Sequence, residues 1–320
     1  MLKTELRNTV KWASGKKRSF LYIYHMLRQS LKGTGVAIIT PFNKEKSIDF
    51  TALEKLVDIQ IAGGVDYIVA LGTTGETAVL SEEEKIAVLN CIFNKVNDRV
   101  PVVVGIGGNN TAEVIKSFSK YPIDKAVAIL SVTPYYNKPS QEGLYQHYKA
   151  LAAVAPKPII LYNVPGRTGC NMSAATTLRL AQLPNIVGIK EAGPEMAQSI
   201  DILKDRPADF VVLSGDDEIV MAQIACGMDG VISVAANAFP KAFTDMIRFA
   251  MAGDFSMAKR INDSMVEGYS YMYEENNPAG VKAIMATMGM IENELRLPLV
   301  PVSEGLQKKI DNYLARFLKN

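Results

Sequence analysis

Eight short apolar runs, spaced by longer amphipathic stretches, constrain this chain more than any other feature. They cover residues 36–40, 67–71, 102–105, 126–131, 159–162, 186–190, 210–214 and 230–233. Each is nearly continuous in apolar residues, as a strand buried on both faces must be, and the alternation with helical stretches marks βα units around a parallel sheet. Eight units are the number that closes a barrel. The stretches between them carry helix signals. Ser81 stands three residues before Glu84 as a capping box, Ser140 opens the fourth helix, and Gly63 and Gly64 end the first after Leu53, Leu56, Val57 and Ile61 line its apolar face. Beyond the eighth run, residues 255–273, 279–288 and 304–318 read as three more helices. The predicted fold is therefore α/β: a (β/α)8 TIM barrel over residues 31–253 with a C-terminal three-helix appendage over 254–320. No Gly/Ser/Pro-rich linker separates the two, so the appendage is expected to pack on the barrel.

Composition narrows the function classes. The 320 residues are 48% hydrophobic and 21% charged, ordinary for a globular protein, and the formal net charge is +2. That charge is unevenly placed: six of the 35 basic residues but one of the 33 acidic ones fall in the first 25 positions, which leaves the remainder at −3. Such a body has no basic surface for nucleic acid. Residues 1–30 read as a basic extension, expected to be disordered or to precede a natural start at Met26. Its apolar run, residues 20–27, is broken by polar atoms, lacks a small-residue cleavage site, and falls far below the roughly 20 residues that span a bilayer. No membrane partner is expected. Three scattered cysteines, Cys91, Cys170 and Cys226, form neither a disulfide framework nor a zinc pattern and fit a reducing cytoplasm. His25 and His147 are the only histidines, so histidine-cluster catalysis and a histidine-rich metal site are both disfavoured. Some other group must move protons.

In a barrel of this kind function sits at the C-terminal strand ends. Those ends read Thr40–Pro41, GTTGE (72–76), GIGGNNT (105–111), TPYYNKPSQEG (133–143), YNVPGRTG (162–169), Lys190–Glu191, SGDD (214–217) and ISVAAN (232–237). Lys190 closes an apolar strand inside the barrel, where desolvation would disfavour its ammonium and favour an amine nucleophile; the plain alternative is a surface ion pair with Glu191 or Asp217. Tyr162 ends the neighbouring strand, from which its phenol could shuttle a proton, or simply pack. Thr73 and Thr74 lie in a loop whose backbone N–H groups could hold a carboxylate, although by itself GTTGE is only a turn. GIGGNNT lacks the lysine and hydroxyl of a phosphate loop and reads as a loop and helix cap. Arg167 suits a bidentate grip on a carboxylate, and Tyr135–Tyr136 could equally be packing at a subunit contact.

Taken together, GTTGE, TPYYNKPSQEGLYQHY, LYNVPGRTG, GIKEA, SGDD and GVISVAAN, in this order and on these strand ends, resemble the dihydrodipicolinate synthase family over residues 31–318. The resemblance implies a lyase of lysine and diaminopimelate biosynthesis that condenses pyruvate with L-aspartate-4-semialdehyde through a Schiff base, with no metal or organic cofactor. It implies imine formation at Lys190, proton relay through Tyr162, Thr73 and Tyr136, the last from a neighbouring subunit, and pyruvate-carboxylate binding at Thr74. Arg167 is implied for the semialdehyde carboxylate, with Gly215 and Ile232 lining the pocket. A borrowed tyrosine implies a homo-oligomer of at least two chains; family members are commonly tetramers. Asn109, Glu113 and Tyr135, with Thr77 and Ala78 nearby, match positions that bind inhibitory L-lysine, but Glu82 and Lys85 stand where some sensitive members have histidines. Two rival readings are a sister pyruvate lyase (N-acetylneuraminate lyase or a 2-keto-3-deoxy sugar acid aldolase), expected to lack Arg167, and a non-catalytic small-molecule sensor on the same barrel.

Overall fold

The computed structural model describes residues 27–319. Eight parallel strands close into a barrel in sequence order, with each strand hydrogen-bonded to the next and β8 returning to β1. The strands are β1 (Gly33–Ala37), β2 (Tyr67–Ala70), β3 (Val102–Gly105), β4 (Ala128–Val132), β5 (Ile159–Asn163), β6 (Ile186–Glu191), β7 (Val211–Ser214) and β8 (Gly230–Ser233). Val69, Val103, Ile160, Val211 and Leu213 are fully buried inside the barrel, and a larger apolar shell joins the strands to the helices outside.

The first strand begins three residues earlier than its apolar run suggests. Gly35 and Tyr67 are register partners, and a Cβ on Gly35 would lie 2.2 Å from the Tyr67 ring, so this wall must be thin where that tyrosine fills the barrel floor. Ile38 and Ile39, which gave the run much of its apolar character, lie beyond the strand and are buried in the outer shell with Phe42. The fourth strand begins two residues later than its run because Ala126 is held in a turn, its N–H donating to the Ile123 carbonyl. Both β5 and β6 run one residue past their apolar runs, ending on the polar pair Asn163 and Glu191.

The expected helix signals operate as such. Ser81 and Glu84 form both hydrogen bonds of a capping box, an arrangement that stabilises a helix by about 1 kcal/mol. Ser140 caps Gln141–Val154, and Phe50–Ala62 ends at Gly63. The C-terminal helices are Phe255–Glu274, Ala279–Thr287 and Glu304–Phe317. Seven of the nine residues of Ala279–Thr287 are buried, so this helix is part of the core and not an outrigger.

Of the extension assigned to residues 1–30, positions 1–26 lie outside the described residues. The remaining four depart from that expectation: residues 27–30 form a helical turn against the barrel floor. Leu27 and Leu31 are buried with Tyr67, and Arg28 pairs with Asp229, which also receives Arg206. Two apolar anchors and a shared carboxylate make this turn a plug.

Candidate active site

The mouth of the barrel holds a cavity of about 220 Å³ at the C-terminal strand ends. Lys190 from β6 and Tyr162 from β5 are register partners and both face it. Lys190 is 5% exposed, with its Nζ 4.5 Å from the centre of the Tyr162 ring. The two acids that could have neutralised it are engaged elsewhere. Glu191 accepts hydrogen bonds from Asn163, Gly193 and Gln198. Asp217 accepts from the backbone N–H groups of Val234 and Ala235, and burial pushes its carboxyl up to about 6. A surface ion pair is therefore not the role of Lys190.

The lysine's reach is set by a glycine. A Cβ on Gly215 would stand 2.9 Å from Lys190 Cε and 2.5 Å from the Ala192 Cβ, so any side chain there would push the amine out of line. The Gly215 N–H donates to the Glu191 carbonyl (2.7 Å), which locks β7 against β6 at this level.

Thr73 and Thr74 lie in the 3₁₀ turn Thr73–Gly75, and Glu76 terminates it in the left-handed region (φ 52°). Thr40 Oγ1 donates to the Gly75 carbonyl (2.7 Å), bracing the turn from the loop after β1. The fourth side of the cavity comes from the appendage. Asn277 Nδ2 donates to Thr74 Oγ1 (3.0 Å), and the Asn277 carbonyl accepts from Arg167 Nη2 (3.0 Å). Asp216, Glu218, Val234 and Tyr273 complete the wall. Of these, Tyr273 and Asn277 come from a region that reads as packing in the sequence; the only hint is the polar break ENNP between two helices.

Of the residues assigned to the site, Lys190, Tyr162, Thr73, Thr74, Arg167 and Gly215 converge on this cavity. Ile232 does not line it. It sits two residues deeper on β8, 1% exposed, and Val234 occupies the wall instead, since side chains on one face of a strand recur about 6–7 Å apart. Tyr136 also stands apart: it is 88% exposed, with φ 72°.

A second cavity of about 250 Å³ adjoins the first and shares Gly72, Thr73, Leu130 and Tyr162 with it. Thr77, Ala78, Lys85 and Tyr135 line it, together with Ser117 and Tyr121. Burial lowers the Lys85 ammonium from its ordinary value. Asn109 and Glu113, assigned to the same set, do not line it: the Asn109 carbonyl accepts from Asn137 and Glu113 pairs with Lys116 at the surface. Among the described residues no group of three or more His, Cys, Asp or Glu is placed to hold a metal ion, and no helix is long and apolar enough to cross a membrane.

A shielded strand-end lysine beside a tyrosine, inside a closed (β/α)8 barrel and facing an arginine, defines a Schiff-base lyase of the barrel type. The profile of the Dihydrodipicolinate synthetase family matches residues 30–316, and the chain belongs to that family. The 4-hydroxy-tetrahydrodipicolinate synthase of Parabacteroides distasonis is 50% identical over 286 residues, 89% of this chain and 96% of the relative. The crystal structure of the chloride-inhibited dihydrodipicolinate synthase from Acinetobacter baumannii, complexed with pyruvate, is 43% identical with a TM-score of 0.87, covering 90% of this chain and 99% of that one. The lysine-bound enzyme from Cyanidioschyzon merolae is 32% identical with a TM-score of 0.86, covering 90% and 98%.

Proposed function

We propose that this chain is a 4-hydroxy-tetrahydrodipicolinate synthase, joining pyruvate to L-aspartate-4-semialdehyde at the entry to diaminopimelate and lysine biosynthesis. The observation that carries the reading is the buried Lys190 amine beside Tyr162, with Thr74 and Arg167 lining the same cavity. Thr74 and the turn N–H groups receive the pyruvate carboxylate, placing its C2 carbonyl against the amine. Lys190 adds to that carbon, water leaves, and the resulting imine draws electrons from the methyl group. Loss of a methyl proton gives an enamine, which attacks the aldehyde carbon of the semialdehyde held through its carboxylate by Arg167. The semialdehyde's own amine then displaces Lys190 from C2, closing the ring and freeing the enzyme. Tyr162, Thr73 and Tyr136 pass the protons. The family resemblance implies that a second copy of the chain supplies Tyr136 to each site, which makes the working unit at least a dimer, and the exposure of Tyr136 in the single chain supports this.

Arg167 favours this reading over a sugar-acid lyase on the same scaffold, and the complete set of reacting groups favours an enzyme over a sensor. Borohydride reduction in the presence of pyruvate is expected to leave a pyruvate-derived adduct on Lys190, located by peptide mass analysis; an adduct elsewhere, or none, overturns the reading.

The second cavity is the candidate L-lysine site. Its support is the lining of Thr77, Ala78, Lys85 and Tyr135 and its continuity with Thr73 and Tyr162, through which an occupant would reach the proton relay. Millimolar L-lysine is expected to reduce turnover at saturating substrate, and an unchanged rate would remove this assignment.

A further inference from the structure

Strand alternation sends Lys190 and Glu191 to opposite faces of β6, and Tyr162 and Asn163 to opposite faces of β5. The register pairs Tyr162 with Lys190 and Asn163 with Glu191. One step of the ladder thus faces the cavity, and the next sets a buried amide against a buried carboxylate outside the barrel wall. Glu191 is 1% exposed and meets neutral donors alone: Asn163 Nδ2 at both oxygens (3.0 and 3.1 Å), the Gly193 N–H (2.6 Å) and Gln198 Nε2 (3.0 Å). Burial raises its proton affinity, and the hydrogen bonds from Asn163, Gly193 and Gln198 work against the rise.

An isolated buried carboxylate is costly, and an amide would be cheaper to bury. The donor set explains the acid. Three separate groups present N–H to this position, and only a group that accepts at both oxygens can satisfy them all. Two of the donors, Asn163 and Gln198, are also bonded to the excursion that leads from β5 to the helix Ala174–Leu180. Asn163 Oδ1 accepts from the Met172 N–H (2.9 Å), Asn163 Nδ2 also reaches Asn171 Oδ1 (2.7 Å), and Asn171 Nδ2 donates to Gln198 Oε1 (2.8 Å). The two ends of the excursion from 163 to 172 are therefore tied together over the carboxylate. Its middle carries Arg167, whose other contact is the Asn277 carbonyl.

We propose that Glu191 is a positioning residue for the second substrate: touching neither substrate, it clamps both ends of the loop that presents Arg167 and so sets the affinity for the semialdehyde carboxylate. This rests on Arg167 and Lys190 acting as proposed above. The two substrates separate the effects, because pyruvate is gripped by the turn Thr73–Gly75 and Lys190, neither of which donates a hydrogen bond to the Glu191 side chain.

Glu191→Gln replaces one accepting oxygen with a donor and sets it against an N–H. We expect the KM for aspartate semialdehyde to rise about tenfold, in line with the sensitivity of catalysis to displacements of about 1 Å. The KM for pyruvate and the yield of the borohydride adduct should stay within about twofold of the parent. Asn171→Ala, at an exposed position that does not endanger the fold, should raise the semialdehyde KM about threefold with the same split, and it decides alone if Glu191→Gln fails to fold. Semialdehyde KM values within about twofold of the parent, or both KM values rising together, overturn the proposal. A parent enzyme that forms no adduct overturns the Lys190 reading instead.

Discussion

Replacement of Lys190 by alanine is expected to lower turnover roughly 10⁴-fold or more and to abolish the borohydride adduct, while the melting temperature stays within about 2 °C of the parent. The amine is the only group in the cavity that can bond covalently to a keto acid and accept electrons from it as an imine. What remains without it is a pocket that still binds both substrates. The fold should survive because Lys190 lines a cavity and contributes little packing that alanine forfeits. Tyr136→Phe is expected to fall less far, roughly 10²-fold, as a proton-relay member. It is exposed in the single chain, so this variant too should fold. The two defects can be combined to locate Tyr136. When the variants are mixed and allowed to exchange subunits, a mixed dimer has one site with neither group intact and one with both. Random pairing should then restore about a quarter of parental activity, since half of the dimers are mixed and each has one working site. No recovery on mixing would place Tyr136 in its own chain's site, and an active Lys190→Ala enzyme would end the covalent mechanism.

The barrel is legible in the sequence because a doubly buried strand has a signature that needs no knowledge of its neighbours: a short, continuous apolar run followed by a helix signal. The same locality draws attention to Lys190 and Tyr162, since each sits where a run stops, whereas Thr73 and Arg167 lie in the loops beyond and stand out only through the family resemblance. Errors arise where an apolar residue is buried for another reason. Ile38 and Ile39 extend the first run past the strand's end but pack outside the barrel, while Gly33, Thr34 and Gly35 open the strand with no apolar signal. Ile232 has the right face and the wrong depth. The appendage's share of the polar wall left no sign beyond the break ENNP. Asn277 reaches Thr74 across 203 positions of sequence, and nothing periodic or local marks an asparagine between two helices as part of a barrel mouth. The appendage could be read as packing, but not as a wall of the site.

That wall is held by a buried ion pair, and Lys282→Met should cost about 3–5 kcal/mol of stability, the usual penalty for stranding one charge of such a pair. Lys282 and Glu76 have no exposed side-chain surface, and they bond to each other directly. Lys282 Nζ also donates to the Glu294 carbonyl (3.0 Å) and lies 4.3 Å from the centre of the Phe42 ring, and burial lowers its ammonium to about 8. Glu76 accepts in turn from the Arg296 N–H (3.2 Å), and Arg296 reaches back to Glu84 on the barrel. Methionine fills much of the lysine's volume, so the loss measured is that of the charge and not of packing. For a chain of this size a deficit of that order should lower the melting temperature on the order of 10 °C. Glu76→Gln added to Lys282→Met should cost less than the two single changes summed, because the second substitution removes the charge that the first left stranded. Glu76 directly follows the Thr73–Gly75 turn, so the single variant should also weaken pyruvate binding, as an increased KM at a temperature where the protein is still folded. A melting temperature unchanged by Lys282→Met, or a double variant as unstable as the sum, would mean that the appendage is held by its apolar contacts alone and that the pair has no part in fixing the pyruvate turn.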